Sequence, residues 1–186
     1  MKRHARSAVL LHLATAAAML LLSRPASGQE RQGPFIVYSW RAGLSAGWNT
    51  SVCESPDGFL YIATGNGLIQ FDGRHYERIQ AGPGSISDNI LTDIAISADG
   101  QTLWIGALRR GVTRLDLKTR QFRAYPRLWG HETHVQSVRK ILCLPNGQTW
   151  LGTSGMGLAL YIPETDTFSF FKPPNIQASW PVNDMV

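Results

Sequence analysis

The sequence predicts an all-β fold, a β-propeller of about three four-stranded antiparallel blades in an incomplete ring. Three observations predict it. One pattern is written three times, with the turn dipeptides Asp57-Gly58, Asp99-Gly100 and Asn146-Gly147 spaced 42 and then 47 residues apart; a period in the forties with strand-like content means stacked β units. Each copy breaks into short alternating apolar and polar runs bounded by turn residues, the signature of antiparallel strands. No sustained helical period runs through the chain after its first 28 residues.

In chain order, Met1-Lys2-Arg3-His4-Ala5-Arg6 is a basic start, followed by an apolar run from Ala8 to Leu22 and by small residues at Ala26 and Gly28. That run of 15 residues is short of the roughly 20 a spanning helix needs. It reads as a signal peptide over residues 1–28, cleaved after Gly28. Residues 29–186 then read as a partial propeller. Phe35-Ile36-Val37-Tyr38-Ser39-Trp40 is a strand placed to complete the last blade of a closed ring.

Three blades follow, at about 46–80, 86–126 and 134–171. In the middle one, Ile90 to Ile96 alternates, Asp99-Gly100 turns, and Leu103-Trp104-Ile105-Gly106 forms the second strand. Asp-Gly favours a hairpin because glycine accepts a positive φ. Val112-Thr113-Arg114-Leu115 and Gln121-Phe122-Arg123-Ala124-Tyr125 make the third and fourth strands, with 116–120 as their turn. Tyr61, Trp104 and Trp150 recur in the second strand and are expected to pack between blades. Gly106 and Gly152 should let the backbone pass a large neighbour. Residues 181–186 repeat the start of a blade, Asn183-Asp184-Met185 echoing Asn89-Ile90-Leu91. Propellers close with four to eight blades, so the expectation is the front piece of a longer protein.

Charge and cysteines exclude other classes. The net charge of +5 includes Lys2, Arg3, Arg6 and Arg24; without them 14 basic side chains face 13 acidic ones. A nearly neutral chain is no nucleic-acid footprint, and no nucleic-acid partner is expected. Cys53 and Cys143 are the two cysteines. Cys53 aligns with Leu142 and Cys143 with Glu54, in non-adjacent copies, so both are expected to be buried free thiols.

The repeat resembles the two-component regulator propeller repeat, whose pattern is roughly Asn-x-Val-x-x-Ile-x-x-Asp-x-x-Gly-x-Leu-Trp-Ile-Gly-Thr-x-x-Gly-Leu-x-x-Tyr-Asp. Asn89, Leu91, Ile94, Gly100, Leu103-Trp104-Ile105-Gly106, Gly111 and Leu115-Asp116 fit it, with Ala107 for the threonine. Trp150-Leu151-Gly152-Thr153 and Gly157-Leu158 fit in the third copy, where Ile162 replaces the aspartate; Tyr61-Ile62-Ala63-Thr64 stands in for the central motif in the first. The resemblance implies a periplasmic sensor domain ahead of a membrane helix and a histidine kinase. It further implies an inner-membrane anchor for the full-length protein, a homodimer, and the rest of the same sensor chain as a partner. Relatives of this kind detect oligosaccharides, so a small-molecule ligand of that sort is the expected partner.

The loops between blades share a face with the loops between second and third strands. Binding residues concentrate on such loops. There the candidates are Trp48, Asn66, Arg109, Arg110, Trp129, His131, His134 and Trp180. An exposed indole covers the apolar C–H face of a sugar, and amides, guanidinium or imidazole groups take its hydroxyls. The same tryptophans also suit blade packing, and the two arginines suit a solvated surface. His131 and His134, without cysteine partners or a helix, make a weak metal pattern; neither metal nor cofactor is expected.

Catalysis has little support in these residues. No nucleophile elbow or P-loop is present. Asp57, Asp99 and Asn146 recur at one turn position and read as turn formers. Ser97-Ala98-Asp99-Gly100-Gln101-Thr102-Leu103-Trp104 departs from a sialidase Asp box in the placing of Gly and Thr. A propeller enzyme of lyase or lactonase type is the alternative, with Glu54 and Asp93 as its candidates, and a secreted interaction scaffold is the third reading.

Overall fold

The computed structural model describes residues 29–32, 35–38, 48–128, 137–154 and 156–171. The expected signal peptide and the start of a further blade lie outside them. The chain divides into two units, Met1–Leu44 and Ser45–Val186.

In the first unit, β1 (Gln29–Gln32) pairs antiparallel with β2 (Phe35–Tyr38), Gln29 opposite Tyr38 and Gln32 opposite Phe35. The sequence signals β2 by its apolar run. It does not signal β1, whose four residues are all polar and carry no alternation.

The second unit holds three four-stranded antiparallel sheets, each a simple meander, as expected for three propeller blades. The first blade is β3 (Asn49–Glu54), β4 (Leu60–Thr64), β5 (Gly67–Phe71) and β6 (Tyr76–Ile79). The second is β7 (Leu91–Ile96), β8 (Thr102–Ala107), β9 (Val112–Asp116) and β10 (Phe122–Tyr125). The third is β11 (Val138–Cys143), β12 (Thr149–Thr153), β13 (Leu158–Ile162) and β14 (Thr167–Phe171). The turn dipeptides sit where the repeat places them: Gly100 N–H donates to Ser97 O, and Gly147 N–H to Leu144 O, at 2.8 and 2.9 Å. Asp99 accepts from the Ser97 hydroxyl and from Gln101 N–H, and Asn146 Oδ1 accepts from Gln148 N–H, which is turn chemistry.

Each blade begins with the same irregularity. The pairing of the first strand with the second shifts between Asn49 and Ser51, between Leu91 and Asp93, and between Val138 and Lys140. A β-bulge re-aims the extra residue's side chain. Thr50 and Thr92 hold this position and bond to the next blade: Thr50 Oγ1 reaches Leu91 O at 3.2 Å, and Thr92 Oγ1 reaches Val138 O at 2.5 Å. Asp93, 5% exposed, accepts from Ile141 N–H at 2.9 Å across the same seam. Directional bonds therefore set the spacing between successive blades.

Two apolar clusters fill the seams. Tyr61, Ala63 and Leu68 of the first blade pack with Leu91, Ile94, Leu103 and Leu115 of the second. Trp104 and Val112 of the second pack with Val138, Ile141, Leu151 and Ala159 of the third. Trp104 is buried and meets Tyr161 edge-on at 4.7 Å between centroids. Tyr61 and Trp104 therefore pack between blades as expected, whereas Trp150 is half-buried and meets Phe171 of its own blade at 5.3 Å between centroids. Gly106 behaves as expected too: a Cβ there would come within 3.1 Å of Val138 Cγ1 and of Thr92 Oγ1.

Cys53 and Cys143 are free, and both are half-buried rather than fully buried. Burial, then the nearby Asp93 carboxylate and the Cys143 thiol, push the Cys53 thiol up to about 12. Burial likewise raises Cys143. Such thiols stay protonated at neutral pH and are poor nucleophiles.

Candidate functional site

The hairpin between second and third strands is held to the entry of its own blade by one repeated bond. Gly65 N–H donates to Trp48 O, Leu108 N–H to Ile90 O, and Ser154 N–H to Ser137 O, each at 2.9 Å. These bonds put the three hairpins and the three entry loops on one face, as the sequence suggests. The hairpins are closed from within by the repeat threonine, Thr64 and Thr153 each donating from Oγ1 to Gly67 O and Gly157 O at 2.8 Å. Ala107 lacks that hydroxyl and relies on its N–H to Gly111 O at 2.9 Å. Gly67 turns at φ 100°, and a Cβ there would sit 2.5 Å from Ile79 O, so only glycine closes this hairpin without strain.

The loop from the first blade to the second, residues 81–89, is rigidly seated. Ile86 is 1% exposed and belongs to the seam cluster. Ser87 N–H donates to Thr113 Oγ1 at 3.0 Å, Ser85 Oγ to Gln80 O at 2.8 Å, and Asn89 Oδ1 accepts from Ala81 N–H at 2.8 Å. Gly67 N–H donates to Asn89 O at 2.7 Å, joining this loop to the hairpin that carries Asn66.

Four of the predicted site residues fall on described positions. Trp48 is 84% exposed at the entry to β3. Asn66 is exposed on the adjacent hairpin, with its Oδ1 in reach of Gln80 Nε2 at 3.5 Å. Arg109 donates through Nε and Nη2 to the two carboxylate oxygens of Asp88 at 3.3 and 3.4 Å. Arg110 is exposed beside it. Trp129, His131, His134 and Trp180 lie outside the described residues. The sequence reading missed Asp88: its side chain is 9% exposed, it also accepts from Ile90 N–H, and it fixes the guanidinium of Arg109. An Asp-x-Ile-Leu step before the first strand carried no visible sign that it would meet a hairpin 21 residues later.

Between the 81–89 loop, the two arginines and the edge of β10 lies an open cleft of about 910 Å³. Phe122 and Ala124 give it an apolar wall, and Ser85, Asp88, Arg109 and Arg110 give it polar groups. An apolar surface with a few fixed polar groups is what small-molecule sites use.

The two carboxylates nominated for catalysis differ in setting. Asp93 is committed to the blade seam, through Ile141 N–H at 2.9 Å and Lys140 Nζ at 3.7 Å. Glu54 is exposed at the other end of its strand. The structure brings neither to the loop face.

No protein-family model matches the sequence, and no curated protein does. Solved structures do. The extracellular domain of a B. thetaiotaomicron protein assigned to the one-component systems matches with a TM-score of 0.58 at 23% identity, covering 78% of this chain and 19% of that one. A second structure of that extracellular domain, there assigned to the hybrid two-component systems, gives 0.57 at 18% identity over 78% and 18%. Virginiamycin B lyase from Staphylococcus aureus gives 0.54 at 16% identity over 71% and 43%. These similarities establish a shared propeller fold. The chain spans about a fifth of the length of the first two structures. One scaffold thus carries a lyase and extracellular domains of signalling systems, so function is argued from the site.

Proposed function

We propose that this chain is the ligand-sensing, extracytoplasmic propeller of a membrane two-component sensor, recognising an oligosaccharide or another small polar ligand on its loop face. The observation that carries the reading is Trp48, 84% exposed and joined through its carbonyl to Gly65 of the hairpin that presents Asn66. An indole of this size left in water forgoes several kcal/mol of burial, at about 25 cal/mol per Å². A sugar ring offers an apolar face to cover it and hydroxyls for the amide of Asn66 and the guanidinium of Arg109. The basic and apolar start of the sequence supports export to the periplasm, and the extracellular origin of the similar structures agrees. In this reading the remainder of the sensor, including its histidine kinase, is the partner that reports binding, and a homodimer transmits it. The ligand must bind one arrangement of the domains better than the other, because an equal affinity shifts nothing.

Calorimetry of the intact protein against oligosaccharide pools tests this. Binding is expected, and Trp48→Ala is expected to weaken it about tenfold or more. Absence of binding to any pool, together with unchanged signalling in Trp48→Ala and Arg109→Ala, would overturn it.

A further inference from the structure

We infer that the cleft between the first and second blades takes an anionic group, and that Arg110 holds it. The inference rests on the sugar-sensing reading above and narrows the ligand to an acidic saccharide bearing a carboxylate or a sulfate. Three charged side chains line the cleft: Asp88, Arg109 and Arg110. Asp88 and Arg109 neutralise one another at 3.3 Å. Arg110 has no ion pair or hydrogen bond among the described residues, so the cleft keeps one uncompensated positive charge.

The two arginines are therefore not equivalent. Arg109 has two of its donor groups spent on Asp88, which holds its plane and leaves the other N–H groups for neutral hydroxyls. Arg110 offers a whole guanidinium fork, whose geometry matches carboxylate or sulfate oxygens with two parallel bonds. The neighbouring hairpin of the first blade turns on Gly65-Asn66, without charge, so this turn has no intrinsic need for a cation. Ile86, buried in the seam, and the Ser87–Thr113 bond keep the opposite wall in place before any ligand arrives. A site built in advance loses less ordering entropy on binding. Phe122 supplies the apolar surface on which a sugar ring rests.

Three probes separate the possibilities in titrations of the intact protein: trigalacturonate, a sulfated disaccharide and neutral maltotriose. The two acidic sugars are expected to bind more tightly than maltotriose, and less tightly as salt rises. Arg110→Gln is expected to weaken the acidic probes about tenfold or more while leaving maltotriose unchanged. Asp88→Asn, which adds a net positive charge to the cleft, should shift them the opposite way. A preference for trigalacturonate or for the sulfated sugar identifies which anion the fork reads. Equal binding of acidic and neutral probes, unaltered by Arg110→Gln, overturns the anionic site while leaving the sugar-sensing reading standing. Failure of all three probes to bind overturns the anionic site, while the sugar-sensing reading is decided separately by the oligosaccharide pools and the signalling of Trp48→Ala and Arg109→Ala.

Discussion

Arg120 and Asp166 occupy the same turn position in successive blades, and each reaches back to the blade before its own. Both adopt the left-handed conformation, at φ 60° and 54°. Arg120 Nη1 donates to the Tyr61 hydroxyl at 2.5 Å, and its Nη2 bonds Gln70 Oε1. Asp166 accepts from the Tyr125 hydroxyl, pairs with Arg123, and lies 3.7 Å from Arg114, all in the second blade. Opposite charges thus do one job, clamping neighbouring blades on the face away from the candidate site.

The clamp should respond to acid. Burial alone would raise the Asp166 carboxyl, but hydrogen bonds from Tyr125 and Tyr161 and the charges of Arg123 and Arg114 outweigh it, so its pKa lies below the ordinary value. A carboxyl lowered on folding contributes stability above its unfolded pKa of about 3.9 and loses it as pH falls through the folded value. Asp166→Asn should therefore cost about 1–3 kcal/mol at pH 7. The gap from wild type should close progressively below about pH 4. Urea denaturation of both proteins across that range checks the sign; a gap that widens in acid would contradict the assignment.

Arg120 separates backbone cost from side-chain gain. Arg120→Ala keeps the left-handed strain and loses the bonds to Tyr61 and Gln70. Arg120→Gly loses the same bonds but relieves the strain, which amounts to about 1 kcal/mol for a residue with a Cβ. The glycine variant should be the more stable of the two by about that amount, measured by thermal or urea unfolding.

The two classes of tryptophan should divide cleanly. Trp104→Ala empties a buried site shared with Tyr161 and Phe168, at a cost of about 3–5 kcal/mol. Trp48→Ala, at a position 84% exposed, should change stability by less than about 0.5 kcal/mol while weakening ligand binding. Equilibrium unfolding paired with calorimetry distinguishes them, and a large stability loss in Trp48→Ala would move that residue from the site to the scaffold.

Gly106→Ala places a methyl 3.1 Å from both Val138 Cγ1 and Thr92 Oγ1. The second and third blades must separate slightly, stretching the Thr92–Val138 bond. Overpacking of this kind costs about 1–3 kcal/mol, read as a lowered urea midpoint.

Cys53 and Cys143, both raised by burial, should react slowly with iodoacetamide at pH 8 in the folded protein and quickly in urea. Fast labelling of the native state would show that the seam around Asp93 opens.

Much of the scaffold was legible in the residues. The three turn dipeptides, the burial of Tyr61 and Trp104 and the alignment of Cys53 with Leu142 all appear in the structure, Cys53 opposite Tyr61 and Leu142 opposite Trp150. These signals are local or periodic, and a repeat displays them three times. The site was legible only in part. Trp48, Asn66, Arg109 and Arg110 stood out as candidates because they depart from the repeat, whereas Asp88, Ile86 and Phe122 did not, since each looks like an ordinary loop or strand residue until the chain folds.

By itself, then, the sequence determined the all-β class, the four-strand unit, the face on which loops gather and the burial of Trp104 against the exposure of Trp48. Periodicity carries that information, because alternation and turn chemistry depend on neighbours a few residues apart. Only the tertiary structure decided that Arg109 is held by Asp88 while Arg110 has no ion pair among the described residues, that Asp93 serves a seam, and that Arg120 and Asp166 clamp adjacent blades. Those outcomes depend on side chains 21 to 59 residues apart meeting in space, and ion pairing across such a distance follows from how the blades pack rather than from any local pattern.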